Sequence, residues 1–141
     1  LTVAYLFDTD AISEVLRPRP ATEFARWLRH VPKASQFTST VVVGELFKGA
    51  FRSRARAFHL ANIEDRVPPS VAVLPYDTET ARMFGNLAAA LEGRGEALAD
   101  ADLQIAATAI LHDLELVTGN VRHFARVPGL RVCRVLADAR R

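Results

Sequence analysis

Short apolar runs and helix-period patterns alternate along the whole chain. Val3 to Phe7 is a continuous apolar run ending at Asp8, and Asp10 to Leu16 then follows helical spacing until Pro18, whose ring and missing N–H stop a helix. A second helix is predicted over Thr22 to His30, with Phe24, Trp27, Leu28 and Val31 on one face. Phe37 to Val43 is rich in β-branched residues and predicts a strand that feeds a helix through Glu45, Leu46 and Phe47. Helical spacing resumes from Arg52 to Arg66, with a break at either Gly49 or Ser53. Val71 to Leu74, framed by Pro69 and Pro75, predicts a third strand. Asp77 is placed to cap a helix from Thr78 to about Glu92, whose core face is Ala81, Phe84, Ala88 and Leu91 and which Gly93 and Gly95 close. A helix from about Ala101 to His112, a strand from Glu115 to Thr118, a turn at Gly119-Asn120 and a strand from Leu130 to Val135 complete the pattern. Strands alternating with helices in this way predict an α/β fold, three layers α/β/α around a central parallel sheet.

The chain's 141 residues suit one compact domain spanning 1–141, and they contain no repeat and no linker-like Pro/Gly/Ser stretch. No run approaches the roughly 20 apolar residues of a membrane span. The apolar run at Val3 follows no basic leader, so neither export nor a membrane location is expected. Cys133 is the lone cysteine, which excludes an internal disulfide and fits a reducing, cytoplasmic compartment. No Cys/His cluster with zinc-ligand spacing takes its place.

Formal charge is only +2, yet Lys33 and Lys48 are the only lysines, leaving 16 of the 18 basic residues as arginine. Arginine's planar fork matches phosphate oxygens and stacks on bases. Codon usage in a GC-rich genome gives the same skew, and composition by itself favours that plainer reading. The charge is consistent with an RNA partner without establishing one.

Position along the chain ranks the acids. Ligands of an open parallel sheet gather beyond the carboxyl ends of its strands, where the strand order reverses. Asp8 follows the first strand directly, Glu45 is expected in the first turn after the second, and Asn120 follows the strand ending in Thr118. Asp100 and Asp102 open a helix whose apolar residues begin at Leu103 and Ile105, which brings its amino end to the same rim. Several carboxylates in one cleft repel one another unless protons or a cation compensate. The donors are all oxygens, which favours Mg²⁺ or Mn²⁺ over softer metals. Each acid also has a plainer role. Asp8 is as well suited to cap a helix as to bind metal, Asp100 is read as the cap of its helix in preference to a ligand, and Glu45 complements a helix dipole. Asp102, further into its helix, is the better ligand. The coincidence of all of them on one edge is what argues for a metal site.

Three segments carry a family resemblance. "DADLQIAATAILHDLELVTGNVRHFARVPGL", Asp100 to Leu130, resembles the carboxy-terminal signature of PIN-domain toxins of the VapC type. "YLFDTDAISEVL" and "TVVVGELFKGA" resemble the other two signature regions in order and spacing. The resemblance covers essentially the whole chain and implies an endoribonuclease using Mg²⁺ or Mn²⁺, paired with an antitoxin and usually dimeric. By motif position Asp8, Glu45 and Asp102 take the places of the family's first three acids, as metal-holding and catalytic residues. The fourth place falls on Asn120, whose amide adds no charge. Three formal negatives instead of four favour a single Mg²⁺. Asp10 stands where such toxins often have asparagine or serine, and is a candidate to restore the missing charge. His123 stands where an aspartate is frequent; contact with phosphate, helix packing and a solvent-facing position are all open to it.

The implied chemistry is hydrolysis of RNA phosphodiesters by a metal-activated water, leaving a 5′-phosphate and a 3′-hydroxyl. Asn120 would fix substrate or water, with Thr9 and Thr118 in support. Arg52, Arg54 and Arg56 either steer the RNA backbone or form a solvated helical face. Two other classes compete: a PIN-fold module that binds RNA or protein without cutting, and a haloacid-dehalogenase-like phosphatase, suggested by the spacing of Asp8 and Asp10. The phosphatase reading lacks a well-placed lysine, since Lys33 and Lys48 both fit poorly.

Overall fold

The computed structural model describes residues 2–141; position 1 lies outside them. Among the described residues five strands form one sheet: β1 (Tyr5–Phe7), β2 (Gln36–Ser39), β3 (Ala72–Leu74), β4 (Glu115–Val117) and β5 (Val132–Cys133). Their order is β3-β2-β1-β4-β5 and every pairing is parallel. β1 is central, with Tyr5 opposite Gln36 on one side and Glu115 on the other. Between the strands run α1 (Thr9–Leu16), α2 (Thr22–His30), α3 (Thr40–Arg52), α4 (Arg56–Ser70), α5 (Thr78–Gly93), α6 (Asp100–Leu111), α7 (Val121–Phe124) and, after β5, α8 (Val135–Ala139).

Side-chain alternation along β1 divides the layers. Tyr5 and Phe7 meet the Trp27 ring of α2 edge-on, at centroid distances of 5.0 and 6.3 Å, while the intervening Leu6 is fully buried. α2 packs with α8; α3 packs with α1, α4 and α6, and α5 lies along α6. These two helix groups cover the sheet, giving the expected three layers. The small side chains Ala106, Ala107 and Ala109 of α6 are fully buried, which lets this helix sit deep in the core and fixes the depth of its first turn.

The differences from the sequence reading have local causes. The β-branched stretch 37–43 is extended only as far as Ser39. The Ser39 hydroxyl accepts from Val42 N at 3.2 Å and starts α3, so Val41, Val42 and Val43 are helical against their strand propensity. Glu45 therefore lies in the second turn of α3 and not in the first. Ser53, not Gly49, ends that helix. α4 runs past Arg66 to Ser70 with Pro68 and Pro69 inside it; both prolines are exposed, so the carbonyls they leave unpaired lie on the solvent side. Asp77 caps α5 by accepting from Thr80 N at 2.9 Å, but the buried stripe is Thr80, Leu87 and Leu91, with Ala81, Phe84 and Ala88 only half-buried. Asp100 does not cap α6: Ala99 holds that position and offers no side-chain bond. The last strand shrinks to Val132–Cys133, because Val135 already belongs to α8, and the short α7 carries the residues after Asn120.

Ser39→Ala removes the hydroxyl that starts the Glu45 helix. It is expected to lower stability by about 1 kcal/mol, read as a lower urea midpoint at unchanged m-value.

Candidate active site

Where the strand order reverses beside β1, the chain leaves β1 and β4 in different directions and a crevice forms. A cleft of about 340 Å³ opens there, lined by Asp8, Asp10, Glu45, Asp102 and Asn120 together with Thr9, Ser13, Ile105 and Phe124. Four carboxylates share it, and no lysine, arginine or histidine is among its lining residues. Asp100, two residues before Asp102 on the same helix, is exposed and outside it.

Asp8 is the most confined of the four, 5% exposed. It is the N-cap of α1, its Oδ1 accepting from Ala11 N at 2.8 Å, so capping occupies one oxygen and leaves the carboxylate on the cleft wall. Burial pushes its pKa up to about 6; hydrogen bonds from Thr118 and Ala11 oppose this, and the charges of Asp10 and Asp102 add to it. Thr118 is itself fully buried and accepts from Asn120 N at 3.0 Å, which ties the turn carrying Asn120 to Asp8.

The other acids are each drawn to a different neighbour. Thr9 Oγ1 donates to Glu45 Oε1. Asp102 Oδ2 lies 2.9 Å from His123 Nε2. Asp10 Oδ2 accepts from Gly119 N at 3.2 Å and from Arg140 Nη1 at 2.8 Å. Among the described residues no three acidic, imidazole or thiol groups converge into a ready-made ligand set. The donor chemistry nonetheless fits a hard divalent cation. Asp8, Glu45 and Asp102 offer hard oxygen donors and have no lysine or arginine counter-ion among the described residues.

Arg140 was not foreseen from the sequence. Its guanidinium bridges Asp10 and the buried Glu14, with Nη2 to Glu14 Oε1 at 2.6 Å. The two acids are four residues apart on one face of α1, which suits a forked cation. Burial alone would raise the Glu14 pKa, but bonds from Arg140 and Ala21 N outweigh it and hold the carboxyl below its ordinary range. Glu14 has a sequence signal, an acid within an otherwise apolar helix stripe; its partner Arg140, just past α8, has none. Asp10 is thereby neutralised and does not restore the charge that Asn120 lacks. A Cβ at Gly119 would overlap the Asp10 carboxylate and the Arg140 guanidinium, so any other residue there requires the ends of both side chains to shift.

Arg52, Arg54 and Arg56 are exposed and outside the cleft; Arg56 folds back to donate to Phe51 O at 2.9 Å. A second groove of about 430 Å³ adjoins the cleft, walled by Leu16, Leu46, Ala50, Phe58 and Ile63, and it shares Thr9, Ser13 and Glu45 with it.

The PIN-domain family model matches residues 5–130. The chain belongs to the PIN-domain family. Within it the chain sides with the VapC-type toxins: it is 34% identical over 127 residues to Ribonuclease VapC2 of Haemophilus influenzae, covering 90% of this chain and 94% of the relative. It is 30% identical over 128 residues to the tRNA(fMet)-specific endonuclease VapC of Salmonella typhimurium, at 91% and 95% coverage. The PIN fold superposes on the DNA-bound VapBC structure from Salmonella typhimurium with a TM-score of 0.83 at 29% identity, over 94% of this chain and 98% of the other. For FitAcB from Neisseria gonorrhoeae the values are 0.81, 27%, 92% and 96%. The geometry also weighs against the phosphatase reading, since Asp10 is salt-bridged to Arg140 and neither lysine lines the PIN cleft.

Between its ordinary value of 3.8 and about 6, Asp8 binds a proton more tightly in the folded than in the unfolded chain. Stability should therefore fall as pH rises through that window and stay reduced above it. Asp8→Asn is expected to raise stability at pH 7, without divalent cations, by about 2 kcal/mol, and to flatten that pH dependence; calorimetric melts at several pH values measure both. Arg140→Ala should cost about 1–3 kcal/mol at neutral pH. Because the depressed Glu14 pKa stabilises the fold above its ordinary 4.5 and loses that effect as the carboxyl protonates, the gap to wild type should close in acid.

Proposed function

We propose that this chain is a Mg²⁺- or Mn²⁺-dependent endoribonuclease, the toxin of a VapBC-type pair, acting in the cytoplasm as a homodimer of single PIN domains spanning 1–141. The observation that carries the reading is the cleft at the strand-order reversal. Three carboxylates without lysine or arginine partners, Asp8, Glu45 and Asp102, face it from three separate segments, beside the amide of Asn120. Those three residues would hold the cation. When bound, Mg²⁺ or Mn²⁺ neutralises phosphate charge and lowers the pKa of an attacking water.

The chain's own residues supply the arrangement. Asp8 is held by the α1 cap and by Thr118, so its position survives substrate entry. Asn120, on the turn bonded to Thr118, is placed to fix a phosphate oxygen or a water through its amide without adding charge that would repel RNA. Ile105 and Phe124 line the cleft with apolar surface and limit bulk water. The water oxygen bonds to phosphorus as the bond to O3′ breaks, and the leaving oxygen takes up a proton, so the fragments carry 5′-phosphates and 3′-hydroxyls. The ribose 2′-hydroxyl takes no part.

The antitoxin reading is supported by the adjoining groove. An apolar segment seated against Leu46, Phe58 and Ile63 would bring a basic side chain within reach of Glu45, which the groove shares with the cleft. The solved VapBC and FitAcB structures to which this chain is similar are such pairs by name.

Cleavage of a mixed cellular RNA pool by antitoxin-free protein tests the proposal. Discrete fragments with 5′-phosphates are expected with Mg²⁺ or Mn²⁺, none with EDTA, and a loss of at least about a hundredfold in Asp8→Asn. RNA that is bound but left intact under every metal condition would replace the nuclease by a binding module.

A further inference from the structure

His123 is the one histidine that touches an acid of the cleft, and it does so from behind. It lies on α7, does not line the cleft, and its Nε2 is 2.9 Å from Asp102 Oδ2. Its other ring nitrogen, Nδ1, is 3.3 Å from Arg126 Nη2. A guanidinium has only donors, so Nδ1 must accept. The ring proton then sits on Nε2, and the imidazole donates to Asp102. Phe124, buried and on the cleft wall, holds the ring edge-on at a centroid distance of 5.1 Å. Arg126 is further anchored by Nε donating to His123 O at 3.4 Å. The ring is thus fixed in position by Phe124 and in tautomer by Arg126.

We propose that His123 is a positioning residue for the cation site. It engages Asp102 through Oδ2 and leaves Oδ1, which has no hydrogen-bond partner among the described residues, as the oxygen presented to a cation. The inference rests on the proposed reading of Asp8, Glu45 and Asp102 as the cation-holding set. Outer partners of this kind set which lone pair a ligand offers, and their loss costs roughly 10- to 100-fold in metal affinity. An aspartate at position 123 would add a fourth negative charge. An imidazole tied to Arg126 instead orders an acid already present, and leaves the set at three carboxylates.

The test is Mn²⁺ binding to the full chain without RNA, followed by the EPR signal of free Mn²⁺, in wild type, Asp8→Asn, His123→Phe and His123→Gln. Phenylalanine keeps the aromatic packing and removes the donor; glutamine keeps a donor at similar reach. His123→Phe is expected to weaken Mn²⁺ binding about tenfold or more, and His123→Gln to recover most of it. Wild-type binding in His123→Phe, with binding lost in Asp8→Asn, would overturn the role of His123 alone. Unchanged binding in Asp8→Asn would overturn the cation set and this inference with it. A strong ¹⁴N coupling on bound Mn²⁺ would make His123 a direct ligand and also overturn it. Should His123→Phe fail to fold, the ring ¹H–¹⁵N spectrum of the wild-type protein decides: a proton on Nε2 is required, and one on Nδ1 refutes the arrangement.

Discussion

Asp8 holds a carboxylate at the end of the central strand, 5% exposed and flanked by the charges of Asp10 and Asp102. Ionising such a group where water is scarce opposes folding, and the fold meets the cost only in part. The first turn of α1 offers Ala11 N, Thr118 offers its hydroxyl, and the pKa still stays near 6. The unmet remainder is what a divalent cation would supply. Stability set aside at one carboxylate and regained on binding a cation is a coupling of folding to ligand. On the proposed function, that coupling would account for a site that is unfavourable in the bare chain.

Two carboxylates two residues apart at the start of α1 therefore have opposite fates. Asp8 faces the cleft without a basic partner. Asp10, with Glu14 one turn later, is taken up by Arg140, the C-cap of α8, which locks the end of the chain's last helix onto the start of its first. That lock also passes through Gly119, because Asp10 binds the Gly119 amide, and so it bears on where Asn120 sits. Charge balance and loop geometry at the cleft are set by the same three side chains.

The acidic cleft and the apolar groove beside it share Thr9, Ser13 and Glu45. Glu45 and Thr9 are bonded to each other where the two spaces meet, so a partner in the groove and a cation in the cleft would both meet the same side chain.

Periodicity settled the layers, because a strand of period two and a helix of period 3.6 leave different apolar patterns whatever surrounds them. The reversal rule for parallel sheets places Asp8, Glu45, Asp102 and Asn120 on one edge from their positions in the sequence alone. Local bonds were less legible: nothing in the run from Val41 to Val43 announces a helix, since the Ser39 hydroxyl starting α3 competes with strand propensity of similar size. Partners far apart in sequence could not be read at all. Arg140 is 126 residues from Glu14 and 130 from Asp10, and His123 is 21 from Asp102. Only chain folding brings these side chains within 3 Å, and a carboxylate's charge, proton affinity and free lone pairs depend on what lies at that distance. The sequence by itself determined which residues could form the site, and the tertiary structure decided which of their charges remain available in it.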